Sequence, residues 1–305
     1  MMGERVTARV ASHRQESEGG ADPSAAAARP VGGRRGRGAT PGHGGLTVLA
    51  VLAATLLVVF LAVPLVALLL RAADGGGFTP ATRRTLRPAL TLSLATTTVT
   101  LLVVVALGTP LAYLLARRRF RGARLVDTLV DLPIVLPPAV AGIALLVAFG
   151  RRGVVGEWLD RVGVTLGFTT AAVVLAQVFV AVPFYVRAAK AGFGRVDRDL
   201  EDAAADLGAT PFRVFWSVTL PLARPSLAAG AVLAWARALS EFGATIMFAG
   251  SFPGRTQTMP LAIYNRYGAN DLDGAILLSL VLLVTSLLVL LGIRLLGDRT
   301  AHPTA

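Results

Sequence analysis

An all-α membrane protein with six transmembrane helices is the fold class this sequence predicts, and three observations predict it. The first is composition: 54% of the 305 residues are hydrophobic and 16% are charged, where a soluble domain carries about 25% charged residues. The second is length. Six apolar stretches, at about 46–70, 89–116, 125–149, 168–187, 226–249 and 275–297, are long enough to cross a ~30 Å hydrocarbon core at roughly 1.5 Å per helical residue. The third is the placement of the cations. Of the 30 basic residues, 20 fall in segments on the same side as both termini and nine in the alternate loops, with Arg237 inside a span. Basic residues mark the cytoplasmic side, so both termini are expected there.

Composition also excludes function classes. The net charge of +12 comes almost wholly from arginine, with Lys190 the only lysine. These cations are spread between apolar runs and form no basic face on a soluble domain, so a nucleic-acid partner is not expected. The absence of cysteine rules out disulfides and thiolate metal sites. The three histidines, His13, His43 and His302, lie near the ends of the chain, which removes an intramembrane His-Glu-x-x-His metalloenzyme; no metal site is expected.

Taken in order, residues 1–44 are rich in Gly, Ala and Arg without periodicity and read as a disordered basic cytoplasmic tail. Arg34-Arg35 before an apolar run could be a twin-arginine export signal. The run from Leu46 to Leu70 exceeds a signal core and is followed by others, so it reads as a retained first span. Residues 45–297 then form the transmembrane domain, and 298–305 a short cytoplasmic tail. Pro110 and Pro183 should kink the second and fourth spans. The third span contains Leu132-Pro133-Ile134-Val135-Leu136-Pro137-Pro138, which must interrupt its hydrogen-bond ladder. A break at membrane depth is tolerated where protein or a water-filled cavity satisfies the freed carbonyls, so Pro137 and Pro138 are candidates for a pathway lining.

The most informative stretch is the polar loop at 188–224. Asp199, Glu201 and Asp202 favour a helix N-terminus. Leu200, Ala203, Ala204 and Leu207 then repeat at i, i+3, i+4, i+7. Gly208 is the expected stop, and Thr210-Pro211 the restart. Phe212, Phe215, Trp216 and Thr219 repeat the spacing until Pro221, expected to end the second helix. The result is a helix–Gly–helix hairpin with one apolar face.

The fifth span carries Arg237, Ser240 and Glu241. Charges at bilayer depth cost at least ~2.5 kcal/mol and turn toward protein. Arg237 and Glu241, four apart, can pair on one face; they make either a structural ion pair at a subunit interface or an aid to a passing anion. Thr245 follows, and then a polar run, Arg255-Thr256-Gln257-Thr258. That run is either an ordinary external loop or part of a site.

Asp202-Ala203-Ala204, three residues, Gly208, nine residues, then Val218-Thr219-Leu220-Pro221 resembles the signature loop of ABC-importer permeases, with Asp for Glu and Val for Ile. Ser240-Glu241-Phe242-Gly243-Ala244-Thr245, Phe248-Ala249-Gly250, Pro253-Gly254-Arg255-Thr256-Gln257-Thr258 and Leu136-Pro137-Pro138 are similar to the molybdate branch of the oxyanion permeases. The resemblance covers about residues 88–297. It implies a type I ABC-importer permease fold in a bacterial inner membrane, with cytoplasmic coupling helices and a homodimer around one pore. Its implied partners are a separate ABC ATPase and an extracytoplasmic oxyanion-binding protein. Glu201, Asp202, Ala203, Ala204, Gly208, Pro211, Leu220 and Pro221 would couple to the ATPase. Pro137, Pro138, Arg237, Ser240, Glu241 and Thr245 would line the pathway, with Arg255, Thr256, Gln257 and Thr258 in an external loop. The chain has no Gly-x4-Gly-Lys-Ser/Thr motif, so it is not expected to be an enzyme. No cofactor is expected on it, with ATP and Mg on the partner. The alternatives are a sulfate, thiosulfate or tungstate permease and, from another class, a secondary transporter. The latter would need inverted repeats and coupling carboxylates, for which Glu241 is the one candidate.

Overall fold

The computed structural model describes the backbone of residues 43–73, 76, 78–118 and 120–301, and within these the side chains from 47 to 292. The expected tail at 1–44 lies almost wholly outside the described residues, as does the end of the tail at 298–305. No strand occurs among the described residues. Helix α1 (His43–Ala73) is largely apolar, and most of its described large apolar side chains are exposed. Its part up to Leu56 belongs to a unit separate from Leu57–Ala305. Then follow α2 (Pro80–Arg117), α3 (Ala123–Val135), α4 (Pro138–Phe149), the short α5 (Gly156–Arg161) and α6 (Thr170–Arg195). The polar loop holds α7 (Arg198–Asp206) and α8 (Pro211–Val214), the latter passing through a π-turn (Phe215–Thr219) into α9 (Leu220–Leu239). Helices α10 (Gly243–Ala249), α11 (Met259–Gly268) and α12 (Leu272–Ala301) complete the chain.

Five of these helical stretches are long and apolar enough to cross a membrane, and the α3–α4 pair makes a sixth if counted as one span. Four boundaries differ from expectation, each for a local reason. The second helix starts at Pro80, nine residues early, because Thr79 caps it: its hydroxyl accepts from Thr82 N–H at 3.1 Å. The fourth continues eight residues past 187, carrying Arg187 and Lys190, because α3 supplies their counter-charges. Lys190 Nζ donates to Asp127 at 2.6 Å, and Arg187 pairs with Asp131. The third span is not straight: α3 and α4 are turned by 120° at Leu136-Pro137. The fifth stops at Leu239, before a three-residue break and the separate α10.

Pro221 corrects another expectation. It does not end the second hairpin helix, which runs on unbroken to Leu239. The reason is the π-turn just before it. Leu220 N–H bonds Phe215 O, one residue further back than in an α-helix. This widened turn places Pro221 at the start of regular helix, where a missing donor costs little. Helices α2 and α6 run as single elements through Pro110 and Pro183.

The core is assembled from small residues, which let helix backbones approach closely in a membrane. Ala112, Ala181, Ala189, Ala223, Ala234 and Ala238 knit α2, α6 and α9 around Tyr185 and Phe193. A second cluster joins α4, α6 and α10 through Leu145, Ala176 and Phe248. A third joins α2, α11 and α12 through Ala89, Met259 and Leu278. Polar contacts supplement them: Thr100 Oγ1 on α2 donates to Gln177 Oε1 on α6 at 3.0 Å, fully buried.

Candidate functional site

Two sets of residues stand at opposite ends of α9, about 30 Å apart at roughly 1.5 Å per residue. At its N-terminal end is the hairpin. Asp197 caps α7, its carboxylate accepting from Asp199 N–H at 3.1 Å, and Asp199 and Glu201 occupy the first turn. Gly208 adopts φ +84°, the left-handed corner that a side chain resists. Thr210 then caps α8, accepting from Arg213 N–H at 3.4 Å, with Pro211 following. The hairpin is thus built as its residue types dictate.

What the hairpin does with its apolar face is the larger finding. No side chain of α7 is buried. Leu207 is 90% exposed, Phe212 73% and Trp216 55%. Asp202 and Ala203 are exposed as well, while Glu201 turns inward. These large apolar groups flank the Gly208 corner within residues 207–216 and remain open among the described residues.

At the C-terminal end of α9 the chemistry inverts. Arg237 Nη2 lies 2.7 Å from Glu241 Oε2, with the arginine side chain 27% exposed and the glutamate 1%. The contact is close in charge but off-axis, so Oε2 gains no aligned hydrogen bond. The other oxygen, Oε1, accepts from Ala244 N–H at 2.7 Å and so satisfies a free donor in the first turn of α10. Ser240 is exposed and donates to Arg237 O. Thr245 is buried, its hydroxyl without a partner.

The two helix breaks meet here. A side chain added at Gly243 would come within 2.6 Å of the Pro138 ring, so the α3–α4 turn and the start of α10 lie in contact. The structure thereby groups Pro137 and Pro138 with the Glu241–Thr245 segment, although a hundred residues separate them.

The run at 255–258 is not an ordinary exposed loop. Only Arg255 is exposed; Thr256, Gln257 and Thr258 are buried. Phe252 O accepts from the N–H groups of Arg255, Thr256 and Gln257 at 3.0–3.1 Å. Thr256 Oγ1 accepts from Phe252 N–H at 3.0 Å and donates to Gly250 O at 3.3 Å. Ser93 on α2 closes the turn by accepting from Met259 N–H at 2.7 Å. Helix α11, which caps this turn, was not foreseen in the sequence, and neither was the role of α2. One signal existed: Ser93, Thr96, Thr97 and Thr100 repeat at i, i+3, i+4, i+7, a buried hydroxyl stripe facing neighbouring helices. Arg117 and Thr219, which hold Glu201, were also missed; they lie far from it in sequence, and no local pattern joins them.

Residues 108–302 match the family described as binding-protein-dependent transport system inner membrane component. The chain is 46% identical over 243 residues to the molybdenum transport system permease protein ModB of Mycobacterium tuberculosis, covering 80% of this chain and 90% of that one. It is 42% identical over 206 residues to the molybdenum transport system permease protein ModB of Escherichia coli, covering 66% and 90%. Among solved structures, a bacterial alginate ABC transporter in complex with an alginate pentasaccharide-bound periplasmic protein superimposes with TM-score 0.67. It is 18% identical, covering 85% of this chain and 96% of that one, so the likeness is one of fold.

Proposed function

Because this chain belongs to the family of binding-protein-dependent transport system inner membrane components, we propose that it is the permease subunit of an ATP-driven importer whose cargo is molybdate. The observation that carries the choice of anion is the 46% identity spanning 90% of a molybdenum permease. In this reading two copies form one pore in the bacterial inner membrane, with both termini in the cytoplasm. A separate ABC ATPase binds the hairpin, and an extracytoplasmic binding protein delivers the anion. The chain holds no cofactor of its own; ATP and Mg sit on the partner.

The hairpin at 198–214 supplies the coupling. Its exposed Leu207, Phe212 and Trp216 would enter an apolar groove on the ATPase, while Asp202 and Ala203 sit at the contact. Ala204, Gly208 and Pro211 set the angle between the two helices, and Leu220 and Pro221 carry the movement into α9 without a joint. Closure of the ATPase pair then swings α9 and the bent α3–α4 unit between two arrangements, as a two-state element. Each ligand must favour one state, or no cycle results.

The pathway belongs to the junction of the two breaks. A tetrahedral dianion needs donors that replace its hydration shell without trapping it. Backbone N–H groups and hydroxyls near Pro137, Pro138, Ser240 and Thr245 supply such donors. Arg237, already paired with Glu241, offers a partly neutralised cation, which would attract the anion without holding it. The buried turn at 256–258 braces α10 and α11 around this junction, and Arg255 remains at the surface, available to the incoming anion.

The test is uptake in a strain lacking its own molybdate permease, complemented with this chain and its ATPase. Molybdate accumulation that needs ATP hydrolysis, and that excess sulfate does not suppress, supports the reading. Suppression by sulfate or tungstate would reassign the anion. Uptake that persists without the ATPase would make the chain a secondary transporter.

A further inference from the structure

A lever must be fastened to what it moves, yet α7 buries no side chain of its own. Among the described residues, its side-chain bonds to the spans come from one carboxylate. Glu201 Oε1 accepts from Arg117 Nη2 at 3.0 Å and from Thr219 Oγ1 at 2.5 Å. Arg117 is the last residue of α2, and its Nη2 also donates to Val196 O at 2.9 Å, at the end of α6. Thr219 closes the π-turn that opens into α9 and is 1% exposed. Glu201 therefore sits where α2, α6, α7 and the entry to α9 converge.

Three features make this junction stiff. The Arg117 and Glu201 side chains are 8% and 16% exposed, so the charge-assisted bond is shielded from water and salt. Beside it, Tyr113 of α2 meets Phe193 of α6 and Phe215 of the π-turn edge-on, with centroids 5.5 and 5.1 Å apart. The hydroxyl of Thr219 is also committed outward. Ser217 back-bonds to Arg213 O in its own helix at 2.6 Å, as hydroxyl residues in helices commonly do. Thr219, two residues on, reaches across to Glu201 instead. Arg117 Nε is left buried without a partner, a cost that locates the guanidinium's role in the bonds its Nη2 makes.

We infer that Glu201 is a positioning residue, a strut that makes the hairpin, the end of α2 and the start of α9 move as one body, with Thr219 and Arg117 as its anchors. This rests on the permease reading above and deepens it. The exposed residues of the hairpin meet the ATPase, and Glu201, facing the other way, passes the displacement to two spans at once. Without the strut the ATPase would still bind, but α7 would shift on its own while the spans stayed behind.

Thr219 separates a strut from a docking contact, because it is too deeply buried to touch a partner protein. Thr219→Val keeps its shape and removes the bond. With the full complex in membranes, this variant and Glu201→Gln should each lower ATP-driven molybdate uptake about tenfold, while the ATPase subunit still co-purifies and still hydrolyses ATP. Glu201→Arg should abolish uptake, and adding Arg117→Glu should restore much of it, with membrane-inserted protein matched by immunoblot. Parental uptake in both Thr219→Val and Glu201→Gln overturns the inference, as does loss of the ATPase subunit together with transport. A measurement on an otherwise parental chain covers the case in which variants fail to insert. The sequence has no cysteine, so Asp206→Cys with Leu222→Cys, carried by one copy of a mixed complex whose other copy is unlabelled, gives one spin-label pair across the junction, at two exposed positions. The strut requires one narrow distance, unchanged by ATP; a distance that shifts with nucleotide refutes it. Absence of ATP-dependent uptake by the parental complex would refute the permease reading instead, and the spin-label distance would still decide the strut.

Discussion

The two ends of α9 handle polarity in opposite ways. At its N-terminal end the hairpin leaves Leu207, Phe212 and Trp216 in the open; at its C-terminal end Glu241, Thr245, Thr256, Gln257 and Thr258 are buried. Apolar groups outside and polar groups inside are each costly in an isolated chain. The difference lies in how each cost is met. The buried set is met only in part within the chain: Ala244 N–H and Arg237 meet Glu241, and Phe252 N–H meets Thr256, while the hydroxyls of Thr245 and Thr258 stay unpartnered. The exposed set has no cover among the described residues, which is what the proposed docking of an ATPase at that end requires.

Substitutions test this contrast. The largest effect is expected from Gly208→Pro, since proline cannot adopt φ +84°. Uptake should fall to background while the protein stays inserted, measured by transport alongside a membrane immunoblot. Next comes Arg237→Ala, which strands the Glu241 charge in a buried site. A loss of up to about 3 kcal/mol is expected, seen as a lowered melting temperature in detergent, and Glu241→Gln in the same chain should recover part of it. Thr256→Val removes the acceptor of Phe252 N–H and should cost about 1–3 kcal/mol in the same melt. The smallest change in stability belongs to Leu207→Ser, within about 0.5 kcal/mol, because the side chain touches little. That variant should nonetheless weaken ATPase co-purification. A destabilised Leu207→Ser chain that keeps its ATPase would reverse the assignment of the two ends.

Much of the hairpin was legible because its signals are local. The Asp199 and Glu201 acids, the Gly208 corner and the Thr210-Pro211 restart each act within one helical turn. The pathway end was legible only in part. The Arg237–Glu241 pair follows from a four-residue spacing on one helix, and the interruption at Pro137-Pro138 follows from proline chemistry. That the interruption turns the chain by 120°, and that Pro138 then meets Gly243, did not follow. Proline also misled at Pro221, where a π-turn five residues long shifted the register enough for the helix to continue. The run at 255–258 looked like a surface loop because its residues are polar; the backbone bonds to Phe252 and the contact with Ser93 bury it.

An all-helical, membrane-crossing chain and the helix–Gly–helix hairpin were set by the order of residues alone, because hydrophobic length, caps and corners are written in neighbouring residues. Tertiary structure alone decided which side of that hairpin is fastened and which is free. Glu201 and Asp202 are adjacent and alike in charge, yet one is held by Arg117 and Thr219 and the other is left exposed. The physical reason is that a carboxylate takes its role from the donors brought to it, and those donors lie 84 and 18 residues away.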